Sequence, residues 1–254
     1  MIDIHSHILF GVDDGAETFE ESMELIKEEV EKGVSHIIFT PHFNKRNYHQ
    51  DKDKTLANFH SLKEATQKEN LNVELYLGNE VYMDFNNYDS IIENGFTTLA
   101  ESKYILVEFN ELIPPDNMPE ICYEINVSGY IPIIAHAERY EILYKNRQML
   151  IDVLNEGAHL QVNASSILHK ENKERNKLAN FLLKSKLVSF VASDVHNTTS
   201  RKFYLDEAYK EVSKKYGKNY ADEIFKLNQL NVINKTKFES SNYQPKRSIL
   251  SKLF

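Results

Sequence analysis

The sequence predicts a single α/β domain in which parallel strands close into a barrel. Two observations carry this. Short β-branched runs alternate with longer amphipathic segments, and the residues best suited to chemistry stand at or just past the ends of the strand candidates. The strand candidates are Met1–Ile4, His36–Thr40, Val73–Gly78, Tyr104–Phe109, Ile131–Ala135, His159–Val162 and Val188–Ser193. Most are continuously apolar, as expected of parallel strands covered on both faces. Among the helical segments the first is the clearest. Thr18-Phe19-Glu20-Glu21 has capping-box spacing, Met23, Ile26 and Val30 share a face, and Gly33 suits a left-handed stop.

Alternation alone leaves a doubly wound open sheet or a barrel. The polar residues favour the barrel. His5 follows the first strand, His42 the second and Glu80 the third; Glu108 lies near the end of the fourth, His136 follows the fifth, and Asp194 and His196 follow the seventh. In an open sheet these ends would form a row roughly 30 Å long, at about 4.8 Å per strand. In a barrel they share one mouth.

Composition narrows the function. The 254 residues are read as one domain, 1–254, with 238–254 a C-terminal extension of unassigned role. A chain of this length buries enough surface to need no disulfide or structural metal, so any metal is expected to serve chemistry. Thirty Lys and Arg against 38 Asp and Glu leave a net charge of −8, which argues against general affinity for nucleic acid or anionic membranes. No apolar run reaches the roughly 20 residues of a membrane span. The start lacks a basic, then apolar leader, and the single cysteine, Cys122, has no intramolecular partner. A cytoplasmic location is the expectation. Cys122 has no arginine six residues on, as a thiol-based phosphate loop requires, so that route is excluded.

The chemistry-bearing residues are sparse but aligned. His5-Ser6-His7 lets two imidazoles reach one ion from extended backbone, though alone such a pair is more often a surface or structural one. Asp13-Asp14-Gly15, Thr40-Pro41-His42, Gly78-Asn79-Glu80, Ala135-His136-Ala137 and Ser193-Asp194-Val195-His196 supply the company that makes it a candidate metal site. The remaining histidines, His36, His49, His60, His159 and His169, fall off this pattern and read as structural or surface residues.

These motifs resemble the polymerase-and-histidinol-phosphatase superfamily of metal-dependent phosphoesterases. The opening through "FTPH", with "GNEVY", "VEF", "IIAHAERY" and "ASDVHN", is similar to its bacterial tyrosine-protein phosphatases of capsule and exopolysaccharide operons, the CpsB/YwqE/CapC type. The resemblance spans about residues 1–205. It implies a distorted, seven-stranded TIM-like barrel holding three divalent ions. His5, His7, Glu80 and Asp194 would hold the first, Glu80, Glu108 and His136 the second, and Asp14, His42 and His196 the third. Asp14 and Glu108 stand where small-molecule relatives often place histidines. The oxygen-rich set favours manganese, with zinc or iron left open.

The resemblance further implies phosphotyrosine in protein as substrate, the protein being an autophosphorylated bacterial tyrosine kinase. Water activated by the ions would attack phosphorus with no covalent enzyme intermediate. Arg139 and Arg201 would grip the phosphate, against the alternative of solvated charges. A phenol leaves with little protonation because its pKa is about 10; His42 or His196 could still supply a proton. Asp13 and Asn197 are candidates to orient ligand histidines. Phe43, Tyr82, Phe109 and Tyr140 are candidates to line the entrance, or equally to pack in the rim. The alternatives are a phosphomonoesterase of the histidinol-phosphate type, a nuclease of the same superfamily, and a metal-binding module without turnover. The last should lack ligands, and none is missing.

Overall fold

The structure, a computed structural model, describes residues 1–43, 51–83 and 95–237. His49 and the 238–254 segment lie outside the described residues. The strands are β1 (Ile2–Ser6), β2 (His36–Phe39), β3 (His42–Phe43), β4 (Glu74–Leu77), β5 (Glu80–Tyr82), β6 (Tyr104–Glu108), β7 (Ile131–Ile134), β8 (His159–Asn163) and β9 (Phe190–Ala192). All pairings are parallel, in the orders β1-β2-β4 and β3-β5-β6-β7-β8-β9. The second and third sequence candidates appear as β2 and β4, and each is followed after a short break by a further strand that the sequence reading did not include, β3 after β2 and β5 after β4. Joined across these breaks, the strands follow the seven-strand order expected.

The ring closes where β9 meets β1. A bridge joins Ser6 to Val195, the Asp194 amide donates to the His5 carbonyl at 2.9 Å, and the His7 amide donates to the Val195 carbonyl at 2.8 Å. Asp3 adds a side-chain clasp, accepting from the Ser193 amide at 3.1 Å and from the Ser193 hydroxyl. The barrel expectation holds, and a register shift in β1 between Asp3 and Ser6 distorts it.

Strand periodicity sorts the side chains. Ile2, Ile4, Ile38, Tyr104, Leu106, Ile133, Phe190 and Ala192 form one buried cluster inside the ring, with Val232 of the C-terminal helix α10 (Asn228–Ile233) packed against it. Ile37, Phe39, Ile105, Val107, Leu160, Val162 and Val191 face outward and meet the surrounding helices in the larger cluster. Glu108 shares a parity with Tyr104 and Leu106, so the interior is apolar at one end and charged at the other.

Helix α1 (Phe19–Glu31) begins as its sequence dictates. The Thr18 hydroxyl accepts from the Glu21 amide at 3.2 Å, while the Glu21 carboxylate accepts from Glu17 instead of closing the box. Gly33 takes φ 88° and ends the helix. Cys122 is buried in α3 (Met118–Val127), and burial pushes its thiol up to about 12. Among the described residues no helix is long and apolar enough to cross a membrane.

Two local constraints are testable. Gly15 packs so tightly that a Cβ there would lie 1.9 Å from the His7 carbonyl oxygen. Gly15→Ala must therefore move the loop carrying Asp13 and Asp14 and should cost about 1–3 kcal/mol; an unchanged urea midpoint would show that the loop has room. Glu29, fully buried on α1, is held well above the usual carboxyl range by burial and then by the charge of Asp3. Its folded pKa exceeds the unfolded value of about 4.3, so the folded state binds more protons above that pH and stability falls as pH rises. Glu29→Gln should raise the urea midpoint at pH 8, with a smaller gain at pH 5. Equal gains at both would refute the linkage.

Candidate metal centre

The charged end of the barrel gathers all nine candidate ligands. His5, His7, His42, Glu80, Glu108, His136, Asp194 and His196 are buried, and Asp14 is the most open of the set. His5 Nε2 lies 3.4 Å from Glu80 Oε1 and 3.4 Å from Asp194 Oδ1. His7 Nε2 lies 3.2 Å from Glu80 Oε2 and 3.2 Å from His5 Nε2. His136 Nε2 is 2.8 Å from Glu80 Oε1 and 3.8 Å from Glu108 Oε1. His42 reaches Asp14 Oδ1 through Nε2 at 3.2 Å and Glu80 Oε2 through Nδ1 at 2.9 Å. His196 Nε2 stands 3.6 Å from Asp14 Oδ1, and its ring stacks on His7 at 3.9 Å between centroids.

Two of the positions are bent to achieve this. His136 has φ 32° and Asp194 φ 53°, left-handed values that a non-glycine residue adopts only when its surroundings hold it there. Both lie just past their strands, where the turn swings the side chain back over the mouth.

The outer sides of the rings are also fixed. His7 Nδ1 meets Asp13 Oδ2 at 2.7 Å, and the same oxygen accepts the His42 amide at 3.1 Å. Asp13 thus orients a candidate ligand, as the sequence suggested. His5 Nδ1 meets Gln161 Oε1 at 3.1 Å, and His196 Nδ1 meets the Asp194 carbonyl oxygen at 3.0 Å. With the outer nitrogens occupied, the Nε2 lone pairs of His5, His7 and His196 turn to the shared centre. Such ring pinning is characteristic of metal-binding histidines.

Charge explains why an ion fits here. Burial opposes a charged His5, yet Glu80 and Asp194 raise it to about 9. Burial and then Arg139 push His136 down to about 3, and burial and then His7 push His196 to about 4. Glu80 and Asp194 sit well below the usual carboxyl range despite burial, Glu80 through His5 and His42, Asp194 through Arg201, His5 and Arg139. The site demands positive charge. His196 Nε2 is buried without a hydrogen-bond partner, an orphan that a cation would satisfy. Donors within 4.8 Å of one another fall into His7, Asp14, His42 and His196; His5, His7 and Glu80; and His42, Glu80 and Glu108. His7 and His42 thus stand between groups, a looser partition than the resemblance implies.

Both arginines reach this mouth. Arg139 Nη2 donates to Asp194 Oδ2 at 2.8 Å, and Arg201 Nη2 donates to both Asp194 oxygens at 3.0 Å. The remaining candidates divide between their alternatives. Tyr140 and Phe109 are buried, not at the entrance, because the Tyr140 hydroxyl accepts the Phe109 amide at 2.9 Å and draws the ring inside. Phe43 is half-buried and packs on Phe96, and Tyr82 is half-buried. Asn197 does not orient His196; its Oδ1 accepts the amides of Thr199, Ser200 and Arg201 and shapes the loop that carries Arg201. Missed altogether were Gln161 and Asn163 of β8, both buried at the centre. Their signal was polar residues at alternate positions of an otherwise apolar strand.

Comparison with known proteins gives the family. The chain is 33% identical to the tyrosine-protein phosphatase CpsB of Streptococcus agalactiae over 238 residues, 92% of this chain and 98% of that protein. It is 35% identical to the putative tyrosine-protein phosphatase CapC of Staphylococcus aureus, covering 83% of each. It is 30% identical to the tyrosine-protein phosphatase YwqE of Bacillus subtilis, with both chains fully covered. Crystal structures of YwqE from Bacillus subtilis and CpsB from Streptococcus pneumoniae, called unique metal-dependent tyrosine phosphatases, include a chain that superposes with TM-score 0.85 at 29% identity, covering 94% of this chain and 96% of the other. Histidinol phosphate phosphatase from Lactococcus lactis, at TM-score 0.56 and 13% identity over 88% of this chain and 94% of the other, shares the fold. With the family model for capsular polysaccharide synthesis, CpsB/CapC, matching residues 1–234, the chain belongs to the CpsB/CapC family.

Proposed function

We propose that this protein is a metal-dependent protein-tyrosine phosphatase that hydrolyses phosphotyrosine in a protein substrate, an autophosphorylated tyrosine kinase of capsule or exopolysaccharide synthesis. The observation that carries the reading is the convergence of five imidazoles and four carboxylates, with two arginines at their edge, on one barrel mouth. The relatives' names supply the substrate class, and the family name supplies the pathway.

We assign His5, His7, Glu80 and Asp194 to one divalent ion, Glu80, Glu108 and His136 to a second, and Asp14, His42 and His196 to a third, with manganese as the ion. Ions bound there supply Lewis acidity toward phosphate oxygens and a nucleophile from water near neutral pH. The chain's own residues do the rest. Glu80, with one oxygen facing His5 and His136 and the other facing His7 and His42, is disposed to bridge. Arg139 and Arg201 hold Asp194 and are the donors nearest an incoming phosphate. The buried Arg139 Nε has no hydrogen-bond partner, and an N–H left so gains most when an acceptor arrives. A phenolate leaving group asks little of a general acid, so His42 and His196 serve as ligands first.

Three experiments test this. His5→Ala and His136→Ala should each abolish release of phosphate from a phosphotyrosyl peptide with manganese supplied, while circular dichroism keeps its folded signature; turnover surviving in either variant defeats the assignment. Chelation of the wild type should have the same effect, reversed by manganese. Arg139→Ala should lower kcat/KM by more than about tenfold, or roughly 1.4 kcal/mol. A change under about twofold would reduce Arg139 to a partner of Asp194 alone.

A further inference from the structure

Strand β8 contributes no candidate ligand, yet it sends two buried amide side chains into the centre of the site. Gln161 Oε1 accepts the His136 backbone amide at 2.8 Å and meets His5 Nδ1 at 3.1 Å. Gln161 Nε2 donates to Asn163 Oδ1 at 2.8 Å, and Asn163 Nδ2 donates to Asp194 Oδ2 at 2.7 Å. One relay of hydrogen bonds therefore links residues from β1, from the turn after β7 and from the segment after β9.

The direction of every bond in this relay follows from one group. A backbone N–H can only donate, so the His136 amide requires the oxygen end of the Gln161 carboxamide. His5 Nδ1 faces that same oxygen and must then carry a proton. A neutral His5 consequently holds its lone pair on Nε2, the atom 3.4 Å from both Glu80 and Asp194. At the other end Gln161 can only donate, so Asn163 turns its oxygen toward Gln161 and its N–H toward Asp194 Oδ2. Asp194 Oδ1 faces His5 and His7 and also accepts from Arg201. The same Gln161 bond braces His136 in its left-handed conformation.

We propose that Gln161 is a positioning residue of the metal centre: the oxygen of its carboxamide fixes the tautomer of His5 and the turn of His136. This inference rests on the reading of the site as a metal centre. It predicts that the acceptor oxygen, and not the volume of residue 161, is what the site requires.

Gln161→Leu removes the acceptor while leaving a side chain of similar volume at this buried position. Gln161→Glu keeps an acceptor for both N–H groups. Manganese binding to wild type and both variants would be measured by competition with a chelator, with bound metal counted by elemental analysis and the ion-free fold followed by urea denaturation. Gln161→Leu should lose about tenfold to a hundredfold in affinity for at least one ion, and Gln161→Glu should stay within about threefold of wild type. A Gln161→Leu protein within about twofold of wild type, or a Gln161→Glu protein as weak as the leucine variant, overturns the proposal. If Gln161→Leu does not fold, the glutamate variant decides alone by the same threshold. A wild type that binds no manganese overturns the metal reading itself, which separates that failure from this one.

Discussion

The structure depends on how negative charge is compensated at one end of a closed barrel. Asp14, Glu80, Glu108 and Asp194 converge on a buried mouth, and carboxylates so close together stay ionised only beside matching positive charge. Arg139, Arg201 and a charged His5 supply part of it. Divalent ions are the natural complement, since each would replace several weak pairings with direct coordination by lone pairs already aimed inward. The cost of assembling such a site falls on the fold. The barrel meets it by segregation: an apolar plug from Ile2 to Ile133 fills one end, and the polar layer occupies only the last turn of each strand.

Much of this was legible in the sequence because parallel strands end where their chemistry begins. The seven strand candidates required only apolar runs, and most of the candidate site residues stand at the ends of those runs or a few residues beyond. What stayed hidden was decided by contacts across the fold. Tyr140 and Phe109 neighbour candidate ligands in the chain, but a single hydroxyl-to-amide bond between them draws both into the core. Asn197 sits beside His196, yet its carboxamide bonds forward to the following turn. Gln161 and Asn163 belong to a strand with no recognisable motif. Only barrel closure brings β8 within reach of His5, which lies 156 positions away.

The arginines act on the site through one carboxylate. Arg139 and Arg201 both donate to Asp194. Against burial, Arg201, His5 and Arg139 hold that carboxyl well below its usual range. The turn after β7 and the segment after β9 are thereby tied to each other through a single side chain.

Fold and substrate have separate determinants here. The likeness to histidinol phosphate phosphatase at 13% identity is one of fold, and a fold alone does not set a substrate. The segments after the strands also shape the surroundings of the site. After β6 the chain exposes Leu112 and Ile113, held by Asn110 Oδ1, which accepts both their amides at 3.0 Å. Glu111 in the same loop pairs with Arg175 at the start of the helix Lys173–Lys184, and a cavity of about 540 Å³ between them is also lined by Arg139. Hydrogen bonds and an ion pair thus tie the loop to that helix, and Arg139, the arginine assigned to phosphate, stands in the wall of the cavity. Candidate ligands on strand ends and a rim of tied loops are separate layers, so the rim can change without moving the ligands.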